Sequence, residues 1–408
     1  MLELEDKEDN IYPILGKVQH YDWGGKKFIP DLIGEYTKNN HYAEYWLGAH
    51  LKAPSIIKTK KGNITLDFFL SQNLSQNLGA SVANIYGRLP YLFKVLDVDK
   101  MLSIQVHPTK DSAEKGFENE NKMGIPITAN NRNFKDRNHK PELMVALSDF
   151  WLLHGFLERK KLIKNLEETK ELHFLLKTFQ ENDYFELYKK VMEFTQAEVN
   201  EILNPLVKRI LPQYLNNELQ KYSPDYWASK ASDNNSVNID RGIFSIYFFN
   251  ILNLSKGEAI FQGAGLPHAY LEGKNMELMA NSDNVLRGGL TSKHIDIVEL
   301  LKNTRFEETN PTILHGVQNK ENSEVVYKTN AKDFELSKIE LLPTQTHQSV
   351  AISVEILIAL DGKAIVSENR KQITLEKGKS LLIVANTNYK ISAPLGAEIY
   401  RARVPKSH

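Results

Sequence analysis

A chain of 408 residues, 41% hydrophobic and 25% charged, has the composition of a soluble globular protein long enough for two or three domains. Lys+Arg and Asp+Glu both total 51, so charge gives no reason to expect a nucleic acid or a membrane surface as partner. There are no cysteines and no apolar run of membrane-spanning length. Any bound metal must therefore be held by imidazole, carboxylate and amide groups, and a reducing, cytoplasmic compartment is expected.

The N-terminus, Met1-Leu2-Glu3-Leu4-Glu5-Asp6, is acidic and lacks the basic and apolar parts of a signal peptide. Tyr21-Asp22-Trp23-Gly24-Gly25 reads as a turn, Leu66–Leu78 as a short helix, and Tyr91–Leu96 as a strand. Leu102-Ser103-Ile104-Gln105-Val106-His107-Pro108 follows, a β-type run that Pro108 ends. Strand side chains alternate, so Gln105 and His107 share a face roughly 7 Å apart, close enough to converge on one ion. Alone, such a pair is more often a hydrogen-bonded polar face than a metal site. In Asn138-His139-Lys140-Pro141-Glu142-Leu143, a strand start would put Lys140 and Glu142 on one face.

From Glu158 to Leu211 the period changes. Leu162, Ile163, Leu166, Leu172, Leu175, Leu176 and Phe179 recur mostly at spacings of three and four, as on an apolar helix face. Thr195-Gln196-Ala197-Glu198 has capping-box form and opens a helix carrying Val199, Ile202, Leu203, Leu206, Val207 and Ile210. Pro205 is expected to kink that helix or sit near a break, and Ser232–Ser236 to close the segment. β character is expected again at Ile243–Phe249 and onward, apart from a helix at Ser292–Asn303. A weak repeat aligns Leu254-Ser255-Lys256-Gly257 with Leu375-Glu376-Lys377-Gly378, which sets His268 against Tyr389. It suggests two related β modules, only the first bearing a metal-type side chain at that position.

In Gly263-Ala264-Gly265-Leu266-Pro267-His268-Ala269-Tyr270-Leu271, a turn leads into an alternating run with His268 and Tyr270 on one face. Glu272-Gly273-Lys274-Asn275 reads as a hairpin turn, pairing Tyr270 with Glu277 and placing Glu277 on the His268 face. Between Asn281 and His294, Gly288 and Gly289 permit close approach by a ligand, while Arg287 and Lys293 offer an anion a fork and a point charge. Two imidazoles, one carboxylate and one amide oxygen would suit a borderline divalent ion such as zinc.

Ser103–Pro108, His139–Glu142, Gly265–Tyr270 and Ser282–Thr291, with Tyr21–Gly24 and Glu44–His50, together resemble type I mannose-6-phosphate isomerases, in the same order over most of the chain. The resemblance implies a mainly β fold of cupin jelly-roll modules with an inserted α-helical domain. The expected parts are a zinc-bearing catalytic module (1–157 and 240–320), the helical insertion (158–239) and a C-terminal cupin-like module (321–408). It implies one zinc ion per chain, held by Gln105, His107, Glu142 and His268, and interconversion of mannose 6-phosphate and fructose 6-phosphate through an enediol. The family's active-site arginine maps onto Arg287. Two small departures are Gly288, where the family commonly has Ala, and Leu51, where it has Pro.

Moving a proton between adjacent carbons requires a base and stabilisation of charge on oxygen. Glu277 is the first expectation for the base, with Lys140 and His139 as competitors. Arg287 is expected on the enediolate or the phosphate, and Ser103, Lys140, Lys293 and Tyr270 on the substrate. No obligatory protein partner is expected. A non-enzymatic sugar-phosphate-binding cupin and a metal-dependent cupin oxygenase are the alternatives.

Overall fold

The structure, a computed structural model, describes residues 9–37, 40–59, 62–232, 237–319 and 323–406. The acidic Met1–Asp6 segment, Asp233–Ser236 and the expected 320/321 boundary lie outside the described residues. Two large sheets, antiparallel throughout their named pairings, dominate the fold. One runs through Phe249–Leu254, Phe150–Phe156, His268–Ala280, Tyr91–Val98, Glu44–Gly48 and Lys17–Gln19, with Ile104–Val106, Glu142–Ala146, Ala259–Gln262 and Leu286–Gly289 attached. The other is built from the strands after Val317, joined by Ile11–Leu15, which pairs with Ser380–Ile383, and by Ile56–Thr59 and Gly62–Thr65. An apolar core including Tyr91, Phe93, Val95, Met276, Leu278, Ile356 and Leu382 fills the space where side chains of both sheets meet. Among the described residues no helix is long and apolar enough to cross a membrane.

Among the described residues between Phe156 and Phe249, the regular elements are helices. Arg159–Glu168, Phe174–Glu181, Tyr184–Glu193 and Gln196–Leu215 bury Leu162, Leu166, Leu175, Phe179, Val199, Leu203 and Leu206 in one cluster, against Ile104, Val106 and Leu153 of the sheet. The Thr195 capping box forms: its hydroxyl accepts from Glu198 N and the Glu198 carboxylate accepts from Thr195 N. Pro205 produces no break, because the helix runs on through Pro205 and Pro212 with Leu206 and Ile210 still buried.

Several expectations are corrected. Ile243–Phe248 is helical, within Gly242–Phe248, and strand starts only at Phe249. Every residue of that helix is buried, so its apolar run carries no amphipathic period to separate helix from strand. Leu66–Leu78 divides into Leu66–Gln72 and Leu74–Leu78 at Asn73, whose side chain caps the second piece. The helix expected from Ser292 begins at Ile297, where Asp296 supplies the cap.

The main correction concerns the hairpin expected at Glu272–Asn275. His268–Ala280 is one strand of 13 residues. Its first part pairs with Phe150–Phe156, and from Gly273 onward it pairs with Tyr91–Val98. The register shifts between Tyr270 and Glu272, and Gly273 takes φ +126°, which lets the strand bend from one pairing to the next. Residues seven apart on a straight strand would sit about 23 Å apart on opposite faces. Here the Tyr270 hydroxyl reaches Glu277 Oε1 at 2.9 Å. The bulge restores the common face, and the bend closes the distance.

A side chain at residue 273 would meet Asp149 O at 2.6 Å in a backbone conformation that L residues avoid. Gly273→Ala is therefore expected to cost about 2 kcal/mol or more in denaturant unfolding. A loss below about 0.5 kcal/mol would contradict the role assigned to this bend.

Candidate metal centre and active-site cavity

The first turn of the long strand places His268 directly opposite Gln105, and Gln105 is directly opposite Arg287 on the next strand. Residues paired across strands project from the same face, and neighbouring strands lie about 4.8 Å apart. His268, Gln105 and Arg287 thus form a row about 10 Å long between backbones. Glu142 opens the strand Glu142–Ala146, which pairs with the far half of the same long strand. His107 follows Gln105 by two residues, at the end that Pro108 closes.

His107, Glu142 and His268 come together in a group whose ligand atoms all lie within 4.8 Å of one another, and all three are buried. His107 Nε2 is 3.3 Å from Glu142 Oε1, and His268 Nε2 is 3.3 Å from Glu142 Oε2. The opposite ring nitrogens settle the tautomers. His107 Nδ1 lies 3.0 Å from the Asn284 carbonyl and His268 Nδ1 lies 2.9 Å from the Leu266 carbonyl. A carbonyl oxygen only accepts, so each Nδ1 carries a hydrogen and each Nε2 is turned toward the carboxylate.

Burial, with the nearby Lys140 ammonium adding to it, pushes the His107 pKa down to about 4. That ring is neutral at neutral pH, and its fully buried Nε2 has no hydrogen-bond partner. The His107 lone pair facing a carboxylate in a space shut off from solvent is repelled by it unless a cation lies between them. A divalent ion accepting nitrogen and oxygen fits the donor set. Gln105, half-buried, adds an amide beside His268 on the open side.

That side opens into a cavity of about 570 Å³ whose walls include Gln105, Lys140, Arg287, Ser103 and Lys293. Arg287 is half-buried and has no ion-pair or hydrogen-bond partner among the described residues. Burial lowers the Arg287 pKa, and burial together with Arg287 lowers that of Lys293. Lys135 is lowered by burial and by the cations near it, Lys52 first. Cations left with this mutual repulsion form a seat for an anion.

Glu277 and Tyr270 do not line the cavity wall. Glu277 is 3% exposed, and its two oxygens are taken by the Tyr270 hydroxyl and by Lys94 Nζ, the latter at 2.9 Å. Burial raises the Glu277 pKa against the opposing pull of Lys94. His139 is turned away, 2.9 Å from Asp333. Lys140 Nζ lies 2.9 Å from Glu142 Oε1, at the junction of the ligand group and the cavity.

Lys94 was missed in the sequence. It lines the cavity from the strand Tyr91–Val98, between Glu277 and Glu44, with Glu44 Oε2 at 3.3 Å. Burial alone would lower its pKa, but Glu277 and Glu44 outweigh that and keep it protonated above the usual lysine range. One signal was available: a lone charge at the centre of the apolar run Tyr91-Leu92-Phe93-Lys94-Val95-Leu96.

Gly288 also has a local explanation. A Cβ there would lie 2.6 Å from Tyr188 Oη and 3.0 Å from Ile104 Cγ2. The helical region therefore occupies the volume that an alanine methyl would need beside Arg287.

Residues 11–159 match the catalytic domain of type I phosphomannose isomerase. The chain is 36% identical to Escherichia coli (strain K12) mannose-6-phosphate isomerase over 379 residues, covering 91% of this chain and 94% of that protein. It is 32% identical to the human enzyme of the same name, covering 96% and 98%. A Salmonella typhimurium mannose 6-phosphate isomerase structure, bound to fructose 6-phosphate and zinc, superposes with a TM-score of 0.87 at 33% identity, covering 98% of this chain and 100% of that one.

Gly288→Ala is expected to weaken substrate binding and to destabilise the fold by about 1–3 kcal/mol, with Tyr188→Phe in the same chain recovering most of both. If the two substitutions instead prove additive, Tyr188 does not dictate the glycine.

Proposed function

Since the chain belongs to the type I phosphomannose isomerase family, we propose that it interconverts mannose 6-phosphate and fructose 6-phosphate. The observation that carries this reading is the row His268–Gln105–Arg287, which joins a buried set of metal-ligating atoms to an unpaired guanidinium across one cavity. Such a cavity accepts a sugar whose reacting end must be polarised and whose far end is anionic.

Gln105, His107, Glu142 and His268 would hold one zinc ion per chain. Bound there, zinc would supply Lewis-acid polarisation of a sugar oxygen. Arg287, with Lys293 and Lys135, binds the phosphate, and the Ser103 hydroxyl serves the sugar as a hydrogen-bonding group. The Lys94 ammonium donates a hydrogen bond to the sugar oxygen that gains charge as the enediol forms. Glu277 and Tyr270 act through Lys94: Tyr270 donates to one oxygen of Glu277 and Lys94 to the other, which aims the ammonium and keeps it charged.

Lys140 is assigned the proton transfer. The step requires Lys140 as the unprotonated amine, released from its pairing with Glu142: that amine takes the proton from C2 of the aldose and returns it to C1, while the C2 hydroxyl proton passes to O1. The assignment rests on its place at the cavity wall beside the ligand group, a place Glu277 does not have. The division into a catalytic module, a helical insertion and a C-terminal module belongs to the same proposal, supported by the run of helices from Arg159 to Phe248. So does a cytoplasmic place of action, supported by the absence of cysteine.

A coupled isomerase assay on purified protein is expected to show activity that chelation removes and added zinc restores. No activity in the zinc-loaded protein would overturn the reading, as would hexose-phosphate binding with the C2 hydrogen neither transferred to C1 nor exchanged. Lys140→Met is expected to lower kcat by about 10²–10⁴-fold with a smaller effect on KM. Retention of more than about a tenth of wild-type kcat would remove Lys140 as the proton carrier.

A further inference from the structure

The turn carrying the chain from Arg287 to Lys293 is held from outside the cavity by one carboxylate. Asp240 immediately precedes the last helix of the helical region, Arg241 aside, and is half-buried. Its Oδ1 accepts from Leu290 N at 2.7 Å and from Gly242 N at 2.7 Å, and its Oδ2 accepts from Thr291 N at 2.8 Å. Leu290 is a rare non-glycine residue at positive φ, +54°. That conformation turns two successive N–H groups toward the same side, where a single carboxylate takes both.

The backbones on either side are in direct contact. A Cβ on Gly289 would lie 2.4 Å from Gly242 Cα, and one on Gly242 would lie 2.5 Å from Leu290 N. No lysine, arginine or histidine is ion-paired with Asp240 among the described residues, so its acceptor capacity is directed to these amides.

We propose that Asp240 is a positioning residue for phosphate recognition, locking the turn that sets Arg287 and Lys293 on one anion. The proposal rests on the isomerase reading and adds to it a role for the helical region. Asp240 touches no substrate. It acts by fixing the backbone between the two cations, so its loss reduces affinity for the phosphate end and leaves the reacting end and the metal-ligating group in place. Among the described residues neither Arg287 nor Lys293 is ion-paired or hydrogen-bonded through its side chain, and only Asp22 attracts Lys293 from a distance, which makes the backbone the main determinant of their separation.

The test uses the zinc-loaded full-length protein with Asp240→Ala and Asp240→Asn. In Asp240→Ala, KM for mannose 6-phosphate and the inhibition constant of inorganic phosphate are expected to rise together by about tenfold, with kcat within about threefold and zinc content unchanged. Asp240→Asn keeps one acceptor oxygen and should show a smaller rise in both, and it carries the test if the alanine variant fails to fold. Asn165→Ala, which removes a hydrogen bond to Tyr247 O in the same helical region, is expected to lower the melting temperature without moving either constant. An unchanged KM and phosphate constant in both Asp240 variants would overturn the proposal, as would a collapse of kcat with loss of zinc. If the wild-type protein fails to isomerise mannose 6-phosphate, the isomerase reading falls. Direct titration of inorganic phosphate into wild type and Asp240→Ala then still decides the role of Asp240, with equal affinity contradicting it.

Discussion

Two imidazole Nε2 atoms facing one buried carboxylate set the conditions for the rest of the site. His107, neutral and with its Nδ1 committed to a backbone carbonyl, turns an unpartnered Nε2 toward Glu142 at 3.3 Å, an arrangement that a cation between them stabilises, and His268 presents its Nε2 to the same carboxylate at 3.3 Å. The carbonyl serving His107 belongs to Asn284, which is fully buried. The side chain of Asn284 accepts from Lys135 N and Asp136 N and donates to the carbonyls of Asp136 and Asn138. One residue thus fixes the tautomer of a proposed ligand and pins the loop that delivers Lys135 to the cavity and runs on to Lys140 and Glu142. The metal-ligating group and the cation-lined wall are therefore mechanically coupled.

Charge is distributed unevenly around that cavity. Lys94 is flanked by Glu44 and Glu277, so this part of the wall is compensated and its ammonium is held in place. Asp283 is likewise occupied, by His50 and Lys52, which hold it below the usual carboxylate range against the effect of burial. Arg287 has no ion-paired carboxylate among the described residues, and at Lys135 and Lys293 burial and neighbouring cations outweigh the pull of Asp283 and Asp22. An anionic substrate group is attracted to the uncompensated end, which orients the molecule with its uncharged end toward the buried ligand group.

Much of this was legible in the sequence because short-range rules govern it. The run that carries Gln105 forms a short strand, Ile104–Val106, that stops before Pro108, and the capping box marks the helix start at Gln196. The mainly β architecture with helices between its strands was also readable from the change of period. Long-range register was not. The supposed hairpin at Glu272–Asn275 is a bent single strand, because Gly273 permits either geometry and only Asp149 and Phe150 packed against it select the bend. The contact between Tyr270 and Glu277 was expected for the wrong reason. Ile243–Phe248 was misread because full burial erases periodicity. Lys94 and Asp240 were missed because each acts through partners distant in sequence, 183 residues for Lys94 with Glu277 and 50 for Asp240 with Leu290.

The claim on which most else depends is that a divalent cation sits between the imidazoles and Glu142. Anomalous diffraction on either side of the zinc absorption edge, from crystals grown with zinc, tests it directly. One strong edge-dependent peak per chain is expected, in contact with His107 Nε2, His268 Nε2 and Glu142, with the Gln105 amide oxygen completing the set. A site without such a peak, with the imidazoles hydrogen-bonded directly to Glu142, would contradict it.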